Sequence, residues 1–118
     1  MSNVIILKGP PKSTQSIYGL SCRGKFATRY MTAKGKSIKE DYQWQTKSQW
    51  KQPIIEGSVA IWVRLYFGTK RRQDIDNFNK ILYDALSGIV WADDSQITFV
   101  MTEKLYDKKN PRIEVELL

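Results

Sequence analysis

The chain has 118 residues, a length that suits one domain with a single buried core. Its 42% hydrophobic and 26% charged content is ordinary for a globular protein and excludes a disordered or low-complexity chain. The net charge of +7, with a pI near 9.6, favours an anionic partner, nucleic acid foremost.

Val4–Leu7 is a short apolar run closed by Gly9-Pro10-Pro11, which predicts a strand buried on both faces and then a break. The run is too short, and lacks a basic flank, for a secretory signal, and no apolar stretch approaches the roughly 20 residues of a membrane span. Residues 12–36 are polar and basic; Arg23–Gly24 is a candidate turn between strands at Tyr18–Cys22 and Phe26–Met31. Ser37-Ile-Lys-Glu40 has the form of a capping box and predicts a helix to about Trp50, before Pro53. Val59 to Phe67 alternates as a strand, with Val59, Ile61, Val63, Leu65 and Phe67 on one face. Phe78, Ile81, Leu82, Ala85 and Ile89 mark the buried face of a second helix, with Asp74 or Asp76 at its start and Gly88 just past its end. Ile97–Tyr106 and Arg112–Leu117 are expected to form a hairpin through Asp107–Pro111. The expected architecture is α+β: a mixed β-sheet packed with two helices, residues 1–118 forming a single domain.

Cys22 is the only cysteine, so no intramolecular disulfide can form, which fits a reducing, cytoplasmic setting. The chain contains no histidine, which removes His-based nucleophile activation and His metal sites. Any bound metal then takes oxygen ligands, as Mg²⁺ or Mn²⁺ does.

The stretch Lys70 to Gln96 concentrates the chemistry. Lys70, Arg71 and Arg72 precede Asp74, Asp76, Asn77 and Lys80, and Asp93–Asp94 follow one helix later. Cations attract phosphate, whereas clustered carboxylates repel it unless a divalent cation lies between them. Asp74 and Asp76, two apart, project to one side; Lys80 and Asp84 continue along the same helix face. If the strand after Asp94 runs antiparallel to Val59–Phe67, Asp94 arrives beside Asp74 and Asp76. Three carboxylates with a lysine could then hold a metal against a phosphodiester. A plainer set of roles also exists. Asp-x-Asp is a common helix cap, Asp76–Lys80–Asp84 could be a solvated ion-pair row, and Asp93–Asp94 could be a turn. Lys104, Lys108, Lys109 and Arg112 form a second basic group, either solvated or a secondary contact. Among Trp44, Trp50, Trp62 and Trp91, each more readily a core residue, Trp91 beside the acids is the best candidate for stacking on a base.

The series Asp74-Ile-Asp76-Asn77-x-x-Lys80, Asp84-Ala-Leu, Gly88 and Trp91-x-Asp93-Asp94-x-Gln96-Ile97 resembles the RusA family of Holliday junction resolvases. The likeness is strong over residues 57–117 and looser over 9–56, where Pro10-Pro11-x-Ser13 and Tyr18 are similar to the family's start. Gln73 and Gln15 depart from it, at positions where a basic residue and an asparagine are common. The resemblance implies a Mg²⁺-dependent homodimeric endonuclease that cuts four-way DNA junctions by paired nicks. It implies metal ligation by Asp74, Asp76 and Asp94, catalysis by Lys80, and an accessory acid in Asp93. Lys70, Arg71, Arg72 and Lys12 are expected to contact DNA. No membrane and no small-molecule cofactor are expected. Two alternatives stay open: a nuclease for flaps or forks, and a branched-DNA-binding module whose carboxylates are structural.

Overall fold

Strand β4 (Val59–Phe67) sets the frame: its odd-numbered side chains are buried, and Ala60, Trp62, Arg64 and Tyr66 turn to the other face. The computed structural model describes residues 3–13, 18–23, 26–71 and 74–118. In chain order these form β1 (Val4–Lys8), β2 (Tyr18–Arg23), β3 (Phe26–Met31), α1 (Ala33–Gln49) and β4, then a 3₁₀ turn (Ile75–Asn77) and α2 (Asn79–Leu86). A second 3₁₀ turn (Asp94–Gln96), β5 (Ile97–Tyr106) and β6 (Arg112–Leu117) complete them. This is the expected α+β arrangement. A four-stranded mixed sheet, ordered β1-β6-β4-β5, shares one core with both helices, and β2 pairs with β3 apart from it. The β2–β3 pairing runs from Arg23↔Phe26 to Tyr18↔Met31, as expected, although Gly24 of the anticipated turn lies outside the described residues.

Three expectations are corrected. β1 is an edge strand buried on one face only: Ile5 and Leu7 point inward while Ile6 is exposed. Its outer edge is closed by α1, because Gln49 accepts from the Ile6 N–H (2.8 Å) and donates to the Ile6 carbonyl (2.7 Å), and Gln45 accepts from the Lys8 N–H (2.7 Å). Helix α1 starts four residues before Ser37. Thr32 is extended (φ −68°, ψ 163°) and its hydroxyl accepts from the Gly35 N–H at 3.0 Å, so the cap forms there and Ser37–Glu40 lies inside the helix.

The third correction is topological. β5 and β6 do not form a hairpin, because β4 lies between them, parallel to β5 (Val59↔Ile97 to Phe67↔Tyr106) and antiparallel to β6. A parallel neighbour needs a crossover, and α2 supplies it. The Asp107–Pro111 connection then crosses the end of β4. The Asp107 N–H donates to the Phe67 carbonyl (2.9 Å), and Pro111 packs on Gly68 so closely that an added Cβ would meet the proline ring at 2.9 Å. As a result β1, β4 and β5 all run in one direction and finish at the same end of the sheet. Lys8, Lys70, Arg71, Lys104, Lys108 and Lys109 gather at that end, so the two basic groups that look separate in the sequence are neighbours in the fold.

Candidate active site

Helix α2 buries Ile81, Leu82, Ala85 and Leu86 and leaves Asn79, Lys80, Tyr83 and Asp84 on its other side. Phe78, buried just before it, packs edge-on against Phe67 with ring centroids 5.1 Å apart, which ties the helix start to the end of β4. Gly88 follows the helix with φ +87°, the left-handed conformation that lets the chain turn back, as its position predicted. Lys80 Nζ lies 3.5 Å from Asp84 Oδ1, one turn away.

The return segment is held by its own hydrogen bonds. Trp91 is fully buried, and its indole N–H donates to Ser87 Oγ (3.0 Å), which donates to the Tyr83 carbonyl (2.8 Å). Trp91 is therefore a core anchor and not a surface for bases; Trp44 on α1 is the exposed tryptophan, at 74%. Asp93 and Gln96 form a reciprocal cap. Asp93 Oδ2 accepts from the Ser95 N–H (3.0 Å), and Gln96 Oε1 accepts from the Asp93 N–H (2.8 Å). The Gln96 amide also donates to the carbonyls of Ile55 and Gly57, both at 2.8 Å, which staples the turn to the segment before β4. The bonds from Ser95 hold the Asp93 carboxyl below its ordinary value. Asp94 follows at the first position of the exposed 3₁₀ turn.

The antiparallel geometry expected to deliver Asp94 is overturned, since β5 starts beside the start of β4 and not beside its end. The charge of Asp94 nevertheless reaches Tyr83 of α2. Burial raises the Tyr83 hydroxyl pKa, the Asn79 amide lowers it, and the charge of Asp94 raises it further. Asn79 in turn donates to Thr102 Oγ1 of β5 (3.1 Å), and its own carbonyl oxygen is buried without a partner among the described residues. Asp94 and Asn79 thus both act on the Tyr83 hydroxyl, and Asn79 ties α2 to β5. Asp74 precedes the first 3₁₀ turn, which packs on β5; its carboxylate is exposed and makes no capping hydrogen bond. The cap therefore does not consume Asp74, whereas at the second acidic pair it does consume Asp93.

The Asp76 side chain, and all of Arg72 and Gln73, lie outside the described residues. Among the described residues no three acidic or cysteine side chains converge as a metal cluster. The donor chemistry still suits a hard cation: Asp74 and Asp94 are exposed carboxylates, and the chain offers no histidine nitrogen. Lys12, in the segment after β1, lies beside Tyr42 of α1; burial pushes that hydroxyl up to about 12 and the Lys12 N–H lowers it in part. This places Lys12 across the sheet from Lys70 and Arg71. Tyr83, Asn79 and Gln96 were not anticipated as site residues. The signals for them were an Asn-x-x-x-Tyr pair one turn apart on the helix and an Asp-x-x-Gln cap.

No helix of the described residues is long and apolar enough to cross a membrane. No curated protein matches the chain. The family described as endodeoxyribonuclease RusA matches residues 9–118, nearly the full length. The chain therefore belongs to the RusA family of endodeoxyribonucleases, nucleases of Holliday junction resolution.

Proposed function

We propose that this protein is a Mg²⁺-dependent homodimeric endonuclease that resolves four-way DNA junctions in the cytoplasm by paired symmetric nicks. Beyond family membership, one observation carries the reading. The charge of Asp94 acts on Tyr83 of α2, the helix that also displays Lys80, and Asp74 precedes that helix at the basic end of the sheet. Asp74, Asp76 and Asp94 would hold the metal, and Mn²⁺ would fit the same donors. When bound, the ion supplies Lewis acidity toward the scissile phosphate and activates water for its hydrolysis.

The other roles belong to the chain. Lys80, steered by Asp84, presents a cation to charge developing on the phosphate oxygens. Asp93 acts through the turn as a positioning residue. Lys70, Arg71 and Arg72 hold backbone phosphates and fix the register of the junction, with Lys12 a more distant contact. Two copies related by a twofold axis would address two opposed strands, which accounts for pairing of the nicks.

The test is substitution with binding and cleavage read separately. Asp76→Asn and Asp94→Asn should abolish nicking of a four-way junction and keep or strengthen binding, since a repulsive charge is lost. Full cleavage by either variant would refute the ligand assignment. Wild-type protein that binds junctions tightly without nicking under Mg²⁺ would mark a DNA-binding module, and faster cutting of flaps than of junctions would mark the fork nuclease.

A further inference from the structure

We propose that the pocket between the loop after β4 and the last residues of β5 is a phosphate subsite for the nucleic-acid backbone flanking the cleavage position, with Lys104 its central cation. The proposal rests on the nuclease reading and adds to it a residue from a different part of the chain. The pocket has a volume of about 530 Å³, in the range of ligand pockets, and Thr69, Lys70, Arg71, Lys104 and Tyr106 line it. Three cations from two distant segments therefore share one concavity, and Arg71 stands three residues before Asp74.

The placement of Lys104 is unusual. It pairs in register with buried Leu65, on the side of the sheet that α2 covers, where an apolar residue would continue the core. Two residues earlier on that side, Thr102 accepts from Asn79, and two residues later Tyr106 is half exposed beside buried Phe67. Tyr106 holds Lys70 over the pocket, with the ammonium 5.2 Å from the ring centroid. One two-residue step of strand, about 7 Å, separates the Asn79–Thr102 contact from Lys104. At about 3.4 Å of helix axis per nucleotide, that step is some two nucleotides along one DNA strand. A strand lying along β5 past the Asn79–Thr102 contact would thus bring one of its phosphates over Lys104. A lysine on the covered side of an edge strand can also serve only to discourage pairing with another chain, and that role requires no DNA contact.

Affinity of the full-length protein for a four-way junction in EDTA, measured against salt concentration, separates these roles. The variants are Lys104→Ala and Lys104→Arg, with Lys47→Ala on exposed helix α1 removing the same charge elsewhere. Loss of one phosphate contact should lower the slope of log affinity against log salt by about 0.9 and weaken binding about tenfold near 0.1 M salt. Lys104→Ala should show both effects, Lys104→Arg should retain the wild-type slope, and Lys47→Ala should leave it unchanged. Single-turnover nicking by saturating Lys104→Ala should stay within about threefold of wild type, because a flanking phosphate contributes mainly to binding. A Lys104→Ala slope equal to that of Lys47→Ala would overturn the subsite. So would an unchanged slope with a lost saturating rate, which would make Lys104 part of the chemistry. Wild-type binding and nicking in the same series show whether the nuclease reading stands. If wild type nicks normally and the slopes coincide, the subsite alone fails; if wild type does not bind, both fail.

Discussion

Replacing Gln96 with alanine should separate the stability of the fold from the placement of Asp94. The side chain makes three hydrogen bonds at 2.8 Å, accepting from Asp93 and donating to the carbonyls of Ile55 and Gly57. Each is worth about 0.5–1.5 kcal/mol net, and the partly exposed partners can rehydrate, so the loss should total about 2 kcal/mol. Urea denaturation would show it as a lower midpoint with an unchanged slope. The larger effect should be kinetic. With the staple gone, the turn carrying Asp94 is free to shift, and a displacement of about 1 Å at a reacting centre costs about 100-fold. Single-turnover nicking by folded Gln96→Ala should therefore fall tens of fold or more, while junction binding in EDTA stays within about twofold. A variant that loses stability yet nicks at the wild-type rate would refute the reasoning, because Asp94 would then be either unmoved or unused.

Three further outcomes follow from the packing and the charges. Gly68→Ala should destabilise by about 1–3 kcal/mol, since its Cβ would meet the Pro111 ring at 2.9 Å and the proline has little room to give; chemical denaturation reads it, and an unchanged midpoint would show that the connection yields. Trp91→Ala should cost about 3–5 kcal/mol, because a fully buried indole and its bond to Ser87 are lost; a loss below about 1 kcal/mol would contradict its place in the core. Burial raises the Glu114 carboxyl, but hydrogen bonds from Arg112 (2.6 Å) and Arg64 (3.1 Å) hold it below its ordinary 4.5. Its folded value is thus below its unfolded one, so its contribution is complete above about pH 5 and is lost as pH falls through the folded value. The melting temperature should drop on acidification from about pH 5 to 3, and less steeply in Glu114→Gln; parallel curves would contradict this.

What the residues disclose in isolation is mostly which side faces the core. The alternation of β4 and the buried face of α2 are written in the spacing of their apolar residues, because burial acts on each residue separately. Neighbour relations are written less plainly. Ile97–Tyr106 and Arg112–Leu117 have the spacing of a hairpin, yet β4 lies between them, since alternation assigns a strand's faces and not its partners. The start of α1 went to Thr32 over Ser37 because a cap depends on the extended backbone before the helix, which composition does not reveal. At the site, the Asp-x-Asp-Asn-x-x-Lys series and the Asp93–Asp94 pair were legible as candidate chemistry. The division of labour within that pair was not, because it depends on which carboxylate the Ser95 N–H takes. The stacking role offered for Trp91 fails for a similar reason, while its core role holds: neighbours in sequence, the acids at the surface and the indole in the core, point to opposite sides of one short segment.

The most direct test of the nuclease assignment is to incubate the wild-type protein with a synthetic four-way junction and with linear duplex of the same sequence, in Mg²⁺ and in EDTA, and to map every nick to the nucleotide. The predicted result is symmetric paired nicks near the branch point of the junction alone, in Mg²⁺ alone. Nicking that persists in EDTA, or tight junction binding with no nicks in Mg²⁺, would contradict a carboxylate-held metal at Asp74, Asp76 and Asp94.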